Sequence, residues 1–483
     1  MKFTTIKIAV SVGALLSIVL LGVGTTKWTR SVRQKETPPA NCVIVAKNGA
    51  GQFATIGEAL RTVQPGMRII VRPGTYNEAL VIDKSVEIVA DPTGTSEPVV
   101  LQTSRFSSIT MRTGHALVRG FTIRHRVGWL GALYRIFSQE EVAAVDIPQG
   151  ELVLEDCDII SNSVAGIAIH GRTAKPVIRR ARIHDGRSNG LWFYGGAHGI
   201  IEDCEIFGTK RAGVRIEDEA NPTLRRCKVH HTENAGIVVT DGGLGTIEDS
   251  EIWGNHFSGF ESRDGSAPVI RRGSIHDSRD NGVYIHSESS ATVEDCRIFN
   301  NSNVGVQITE DSSPLVAGSK IFNNAYSDLE ISEGSDPVIK DSSIYGGQMS
   351  GIFVYQGGRG TIDNCDIFGH ANFQEVVVRD ESDPKFLSCR IHGGRVGGVL
   401  VLQRGAGTFE GCDIHHNGYA GVWIRTGSNP TIRNTKINEN QGVAILSEAN
   451  SAGSVFECNL TGNSRGSWSE LAQSQLNRRG NVE

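Results

Sequence analysis

The chain has 483 residues and a formal net charge of −5, with 57 glycines, 14 prolines and nine cysteines. A globular protein of this length usually splits into domains, yet no Pro- or Ser-rich linker interrupts the chain after about residue 42, so one elongated body is expected. Residues 1–35 carry Lys2, Lys7, Lys27, Arg30, Arg33 and Lys35 and no acid; setting these six aside leaves −11 on the rest, which argues against a nucleic-acid partner.

Residues 8–23 are uncharged and mostly apolar, short for a spanning helix but also the size of a signal core. Residues 1–26 are therefore expected to be a signal peptide or an N-terminal membrane anchor, and residues 27–42 a tether. The distribution of positive charge around the run does not by itself orient the chain. Next, Thr55-Ile56-Gly57-Glu58 reads as a capping box that opens a short helix ending at Pro65-Gly66. Residues 43–66 are thus predicted to cap the body. Irregular β segments follow over residues 68–125, and residues 127–142, with Trp129, Tyr134 and Phe137, are expected to leave the body as a loop.

From there a repeat governs the chain. An aliphatic column runs Ile159, Ile183, Ile206, Val229, Ile252, Ile275, Ile298, Ile321, Ile344, Ile367, Ile391, Ile414, Ile437, Leu460, with eleven intervals of 23 residues and two of 24. Two positions earlier lies a column of small residues that holds eight of the nine cysteines, leaving only Cys42 outside it. Stacked buried thiols are the reading for this column, since side chains pointing the same way are poorly placed for a disulfide torsion. Each unit carries a second segment of the form Gly-apolar-x-apolar, as in Gly213-Val214-Arg215-Ile216 and Gly421-Val422-Trp423-Ile424. The period of two points its apolar residues inward and its x residue outward. No helix of 10–12 residues fits between the segments, which leaves an all-β solenoid: a right-handed parallel β-helix of about 23 residues per coil over residues 43–465. Coils about 4.8 Å apart make a rod of roughly 65–70 Å from fourteen units.

Asn162, Asn255, Asn301, Asn324, Asn417, Asn440 and Asn463 sit three residues after the aliphatic column and predict a stacked Asn turn. The other turn alternates between a Pro form, such as Asn221-Pro222 and Ala267-Pro268, and a Gly-Thr form, such as Gly245-Thr246 and Gly360-Thr361, which suggests a duplicated double unit. Just after the aliphatic column, His184, His230, His276, His392 and His415 interchange with Phe207, Trp253, Phe299, Phe322, Tyr345 and Phe368. Such an imidazole fills space at a corner. A second short helix is expected over residues 471–479 in a C-terminal cap and tail, residues 466–483.

Units such as Gly245-Thr246-Ile247-Glu248-Asp249-Ser250-Glu251-Ile252 resemble the parallel β-helix repeats of the pectate-lyase-like superfamily, and most nearly those of F-box-only β-helix proteins and their bacterial counterparts. No F-box-like helical segment precedes the repeats, so a ubiquitin-ligase role does not carry over. The stretch from Asn48-Gly49-Ala50-Gly51 to Ala59-Leu60, with Val71-Arg72-Pro73-Gly74-Thr75-Tyr76, is similar to the start of pectin methylesterases. The Gln-Ala-Val-Ala-Leu segment of those enzymes is absent. The resemblance implies a carbohydrate-related function on the extracytoplasmic side of a membrane.

The outward column of the Gly-apolar-x-apolar strand is the candidate ligand face. It offers Trp192, Arg215, Glu261, Tyr284, Phe353 and Trp423, and two residues further on Tyr194, Glu217, Arg263, His286, Tyr355 and Arg425. Paired aromatics with interspersed Arg and Glu along a flat sheet suit an extended polysaccharide, and a long exposed apolar row also suits a protein partner. β-propensity alone would also place aromatics there. The adjoining turns carry Asp218, Asp264, Asp311 and Asp380, candidate calcium ligands in the manner the resemblance implies for pectate lyases. Three functions follow: an exported or membrane-tethered rod that binds polysaccharide, a calcium-dependent lyase or pectinesterase-like enzyme with Arg215, Arg263 or Arg379 as base, or a protein-interaction rod.

Overall fold

The computed structural model describes residues 40–91, 97–126, 142–470 and 473–483. The apolar N-terminal run, most of the tether and all but Val142 of the 127–142 segment lie outside the described residues. Among those described, no helix is long and apolar enough to cross a membrane.

Three strands per coil build three all-parallel sheets of 19, 17 and 16 strands, about 18 turns in all. One coil shows the pattern: Val214–Ile216 lies in a face sheet, Asn221–Arg225 in a charge sheet and Lys228–His230 in a ring sheet, before Ile237–Val239 returns to the face sheet. Strict register stacks like on like, as in Ile183 on Ile206 and Ile206 on Val229. The aliphatic column is accordingly fully buried along the rod's axis.

The small-residue column has a hydrogen-bonding reason. Cys204 Sγ donates to the Glu202 carbonyl at 3.2 Å, Ser250 Oγ to that of Glu248 at 2.8 Å and Thr435 Oγ1 to that of Arg433 at 2.9 Å. Any small side chain with one donor satisfies this carbonyl, so Cys, Ser and Thr interchange. All nine cysteines are free.

The Asn turn stacks as expected, with Asn301 Nδ2 donating to Asn324 Oδ1 at 3.0 Å and Asn440 Nδ2 to Asn463 Oδ1 at 2.9 Å. The Pro and Gly alternation is steric and electrostatic together. Gly360 has φ 116°, and a Cβ there would lie 2.9 Å from the Pro337 carbonyl oxygen of the coil before. In the earlier coils the Pro form ends in Arg-Arg and the other form in Glu-Asp. Arg271 therefore meets Glu248 at 2.7 Å and Arg226 meets Asp203 at 2.7 Å. Opposite charges thus fall next to each other in these earlier coils.

The N-terminal helix, Ile56–Thr62, starts as the capping box implies, Thr55 Oγ1 accepting from Glu58 N. Glu78 adds a cap that was not legible in the sequence: its carboxylate accepts from Ile56 N at 3.0 Å and Gly57 N at 2.8 Å. The expected C-terminal helix is not formed. Trp468–Glu470 instead pairs with Ile445–Ser447, and Gln475–Arg479 with Ala452–Phe456. The open edge of the preceding coil offers a full row of backbone partners, and this outweighs the helix propensity of a short polar segment.

Candidate ligand-binding face

Trp192, Arg215, Val238, Glu261 and Tyr284 occupy one register position in five successive strands of the face sheet. Four intervals of about 4.8 Å put the two aromatic ends about 19 Å apart. These residues are half-buried rather than fully exposed, and Val238 is buried, because neighbouring coils crowd each side chain.

At one end the Trp192 indole donates from Nε1 to Glu217 Oε1 at 2.7 Å, while Arg215 Nε donates to Glu217 Oε2 at 2.5 Å. Tyr194 packs on Trp192 with ring centroids 4.4 Å apart and stacks on His170 at 4.8 Å; His170 in turn meets Asp146 at 2.9 Å. At the other end Glu261 lies 3.2 Å from Arg263 and 3.3 Å from His286, and His286 stacks on Tyr284 at 4.1 Å. Burial pushes the Tyr284 hydroxyl up, as do the charges of Glu310 and Glu261, so it stays a neutral donor.

A trough joins the two ends. A cavity of about 550 Å³ is lined by Trp192, Arg215 and Glu217 together with Asn162, Arg187 and Arg211, and one of about 400 Å³ continues it past Glu261 and Arg263 to Tyr284. Asn189, Arg211 and Arg215 line both. Arg187 and Arg211 are exposed and make no ion pair among the described residues, whereas Arg215 and Arg263 are paired with acids. The site thus combines fixed aromatic plates, satisfied charge pairs and two available guanidinium groups.

The remaining candidate residues lie further along the rod. Phe353 stacks on Tyr355 at 4.8 Å, with Arg379 above it at 5.7 Å; Trp423 donates to Glu448 at 3.2 Å beneath Arg425. Glu330 and Leu400, at the same register position of their own strands, are each only 4% exposed. Burial pushes the Glu330 carboxyl up, against bonds from Ser327 and Tyr355.

The four aspartates do not converge. Asp218 accepts from Gly195 N at 3.1 Å, Asp264 from Thr240 Oγ1 at 2.6 Å, and Asp380 pairs with Arg379 at 2.6 Å. Asp311 lies in another coil, and all four have positive φ, so each serves its own turn. Among the described residues no group of three or more His, Cys, Asp or Glu is placed to hold a metal ion.

Sequence reasoning missed the trough's walls because they lie in turns. The signal was present two residues before the strand Gly: that column contains Arg211 and also Phe257, Tyr326, Phe373 and Tyr419, whose rings are 38–50% exposed. Tyr419 meets Trp423 edge-on at 5.8 Å, so this edge and the face form one surface there.

No curated protein sequence matches the chain significantly. Among solved structures, the pectin methylesterase from Aspergillus niger is similar at 13% identity over 54% of this chain and 87% of its own, with a TM-score of 0.36. A pectate lyase is similar at 13% identity over 67% and 75%, TM-score 0.33, and a periplasmic alginate epimerase at 12% over 66% and 79%, TM-score 0.33. The family described as right handed beta helix region matches residues 134–260, 235–375 and 340–482. With most of its length accounted for in this way, the chain belongs to the right-handed β-helix family.

Proposed function

We propose that the chain binds an extended polysaccharide along the trough between Trp192 and Tyr284. The observation that carries this reading is the continuous groove with an aromatic plate at each end and the exposed Arg187 and Arg211, without an ion pair among the described residues, on its wall. Sugar rings stack on aromatic faces, and their hydroxyls suit the Glu217–Arg215 and Glu261–Arg263 pairs between the plates. A groove running with the rod's axis fits a linear chain better than a compact ligand. The free guanidinium groups favour a polymer that carries carboxylate or sulfate. The apolar run at residues 8–23 supports an exported or membrane-tethered body acting on such a polymer outside the cytoplasm.

The test is a polysaccharide pull-down and glycan array on residues 43–483, with calcium and with chelator, while ultraviolet absorbance follows unsaturated uronate products. Binding that Trp192→Ala and Tyr284→Ala both weaken supports the reading. Product that accumulates and is lost in chelator would replace it with a lyase, and no binding in either condition would remove it.

A further inference from the structure

The ring sheet contains two sites of one geometry that polysaccharide binding does not use. His230 Nδ1 lies 2.8 Å from His231 Nδ1, and His415 Nδ1 lies 2.8 Å from His416 Nδ1, the rings nearly perpendicular at 88° and 83°. In the equivalent coils His184 and His276 direct Nδ1 to a carboxylate instead, that of Asp185 or Asp277. A ring nitrogen facing a carboxylate is occupied as a donor, whereas two facing imidazole nitrogens share one proton and keep a lone pair between them.

One imidazole of each pair is fixed in place. His230 is stacked between Phe207 at 5.1 Å and Trp253 at 4.1 Å, and His415 is stacked on His392 at 4.8 Å. The other imidazole is exposed, His416 being 62% exposed. Each pair has a carboxylate on an outer nitrogen: Glu205 lies 3.3 Å from His230 Nε2, and Glu439 lies 3.0 Å from His416 Nε2. This bond holds the proton on Nε2 and turns the Nδ1 lone pair toward the partner, the arrangement carboxylates impose on metal-binding histidines.

The backbone supplies an independent sign. From Asp185 onward this corner is left-handed in every coil, and elsewhere Gly, Asp or Asn occupies it, as at Gly254, Asp277 and Asn300. The exceptions among the described residues are His231, His416 and Glu439, at φ 52°, 54° and 55°. At this corner, residues other than Gly, Asp and Asn take the left-handed conformation only where they build the paired sites or their supporting carboxylate.

We propose that His230 with His231, and His415 with His416, each chelate one divalent ion of the copper(II) or nickel(II) type. With metal–nitrogen bonds of about 2.0–2.1 Å, a 2.8 Å nitrogen separation subtends about 85–90° at the ion. That is the cis angle of a square-planar or tetragonal site and too narrow for tetrahedral zinc. Eight coils, about 38 Å, separate the pairs, so the ions bind independently.

The experiment titrates copper(II) into the tag-free full chain with glycine as competitor and reads bound equivalents and nitrogen hyperfine structure by electron paramagnetic resonance. Two equivalents with two-nitrogen coordination are expected. His231→Asn and His416→Asn, which put a residue native to this corner at Asn300 and Asn323 in place of the exposed ring, each remove one equivalent, and together remove both. His256→Asn, an exposed histidine without such a partner, retains two. Should an Asn variant unfold, Glu439→Gln leaves both imidazoles in place and weakens one of the two equivalents about tenfold. Two equivalents in the double Asn variant, equal losses with His256→Asn, or no copper-specific signal in the wild-type chain would each overturn the proposal.

Discussion

His370 Nε2 and Asp328 Oδ2 lie 2.9 Å apart, and neither side chain has any exposed surface. Glu375, equally buried, closes on Nδ1 of the same ring. Asp328 and Glu375 stand where neighbouring coils have Gly305, Gly351 and Gly398, and they serve coils in which the Asn turn is interrupted. Asp328 accepts from Gly347 N at 3.2 Å and from Asn324 Nδ2 at 2.7 Å, and Glu375 accepts from His370 N at 2.9 Å. An ionic cluster thus replaces the missing amide rungs.

Removing the imidazole leaves two carboxylates buried without a counter-ion. His370→Ala is expected to cost about 3–5 kcal/mol, read as a lower midpoint in urea unfolding with an unchanged slope. A variant as stable as wild type would show that water reaches the cluster.

The same cluster makes stability pH-dependent. Burial alone pushes the His370 ring down, but bonds and charges from Asp328 and Glu375 outweigh it and hold the pKa at about 9. A folded pKa above the unfolded value of about 6.5 contributes stability that is complete below pH 6.5 and is lost as pH rises through about 9. The loss expected is on the order of 3 kcal/mol, and a chain carrying His370→Asn should not show it. Thermal melts from pH 6 to 10 on both chains check this.

Gly347 has no room for a side chain, since a Cβ there would lie 2.8 Å from Asp328 Oδ2. Gly347→Asn alone should destabilise the coil, and Asp328→Gly should rescue it by restoring the Asn turn of the other coils. A double-mutant cycle is expected to show coupling of about 1–3 kcal/mol, and additive effects would refute the replacement.

Glu248 gathers Arg271 at 2.7 Å, Arg272 at 3.0 Å and Arg225 on the charge sheet. The Arg225 bond holds its carboxyl down at about 2, against burial and with help from Arg271 and Arg272. A depressed pKa contributes stability that is present above the ordinary glutamate value and lost as pH falls toward about 2. Glu248→Gln should therefore lower the melting temperature at pH 7 and flatten its acid-side decline.

On the ligand face, Trp192→Ala and Tyr284→Ala should each weaken polysaccharide binding about 3- to 10-fold by loss of one stacking plate. Arg187→Glu with Arg211→Glu should abolish binding of an anionic polymer and steepen no salt dependence for a neutral one. Titration calorimetry at two ionic strengths separates these outcomes.

What the amino-acid sequence determined by itself is the coil. A period of 23 residues, an aliphatic column and a column of small residues dictate stacking, because each inward position must meet its own kind one turn later. The Asn turn, the capping box at Thr55 and the residues of the outward column follow from the same local rules. The tertiary structure decided what meets across turns. Glu217 reaches Trp192 from 25 residues away, His370 reaches Asp328 across 42, and Glu78 caps a helix from the next segment. These contacts depend on where two coils bring unlike residues together, and a repeat, which reports only what recurs, carries no record of them. The C-terminal segment shows the same limit: its local preference suggested a helix, and the unpaired edge of the coil beneath it drew it into the sheet.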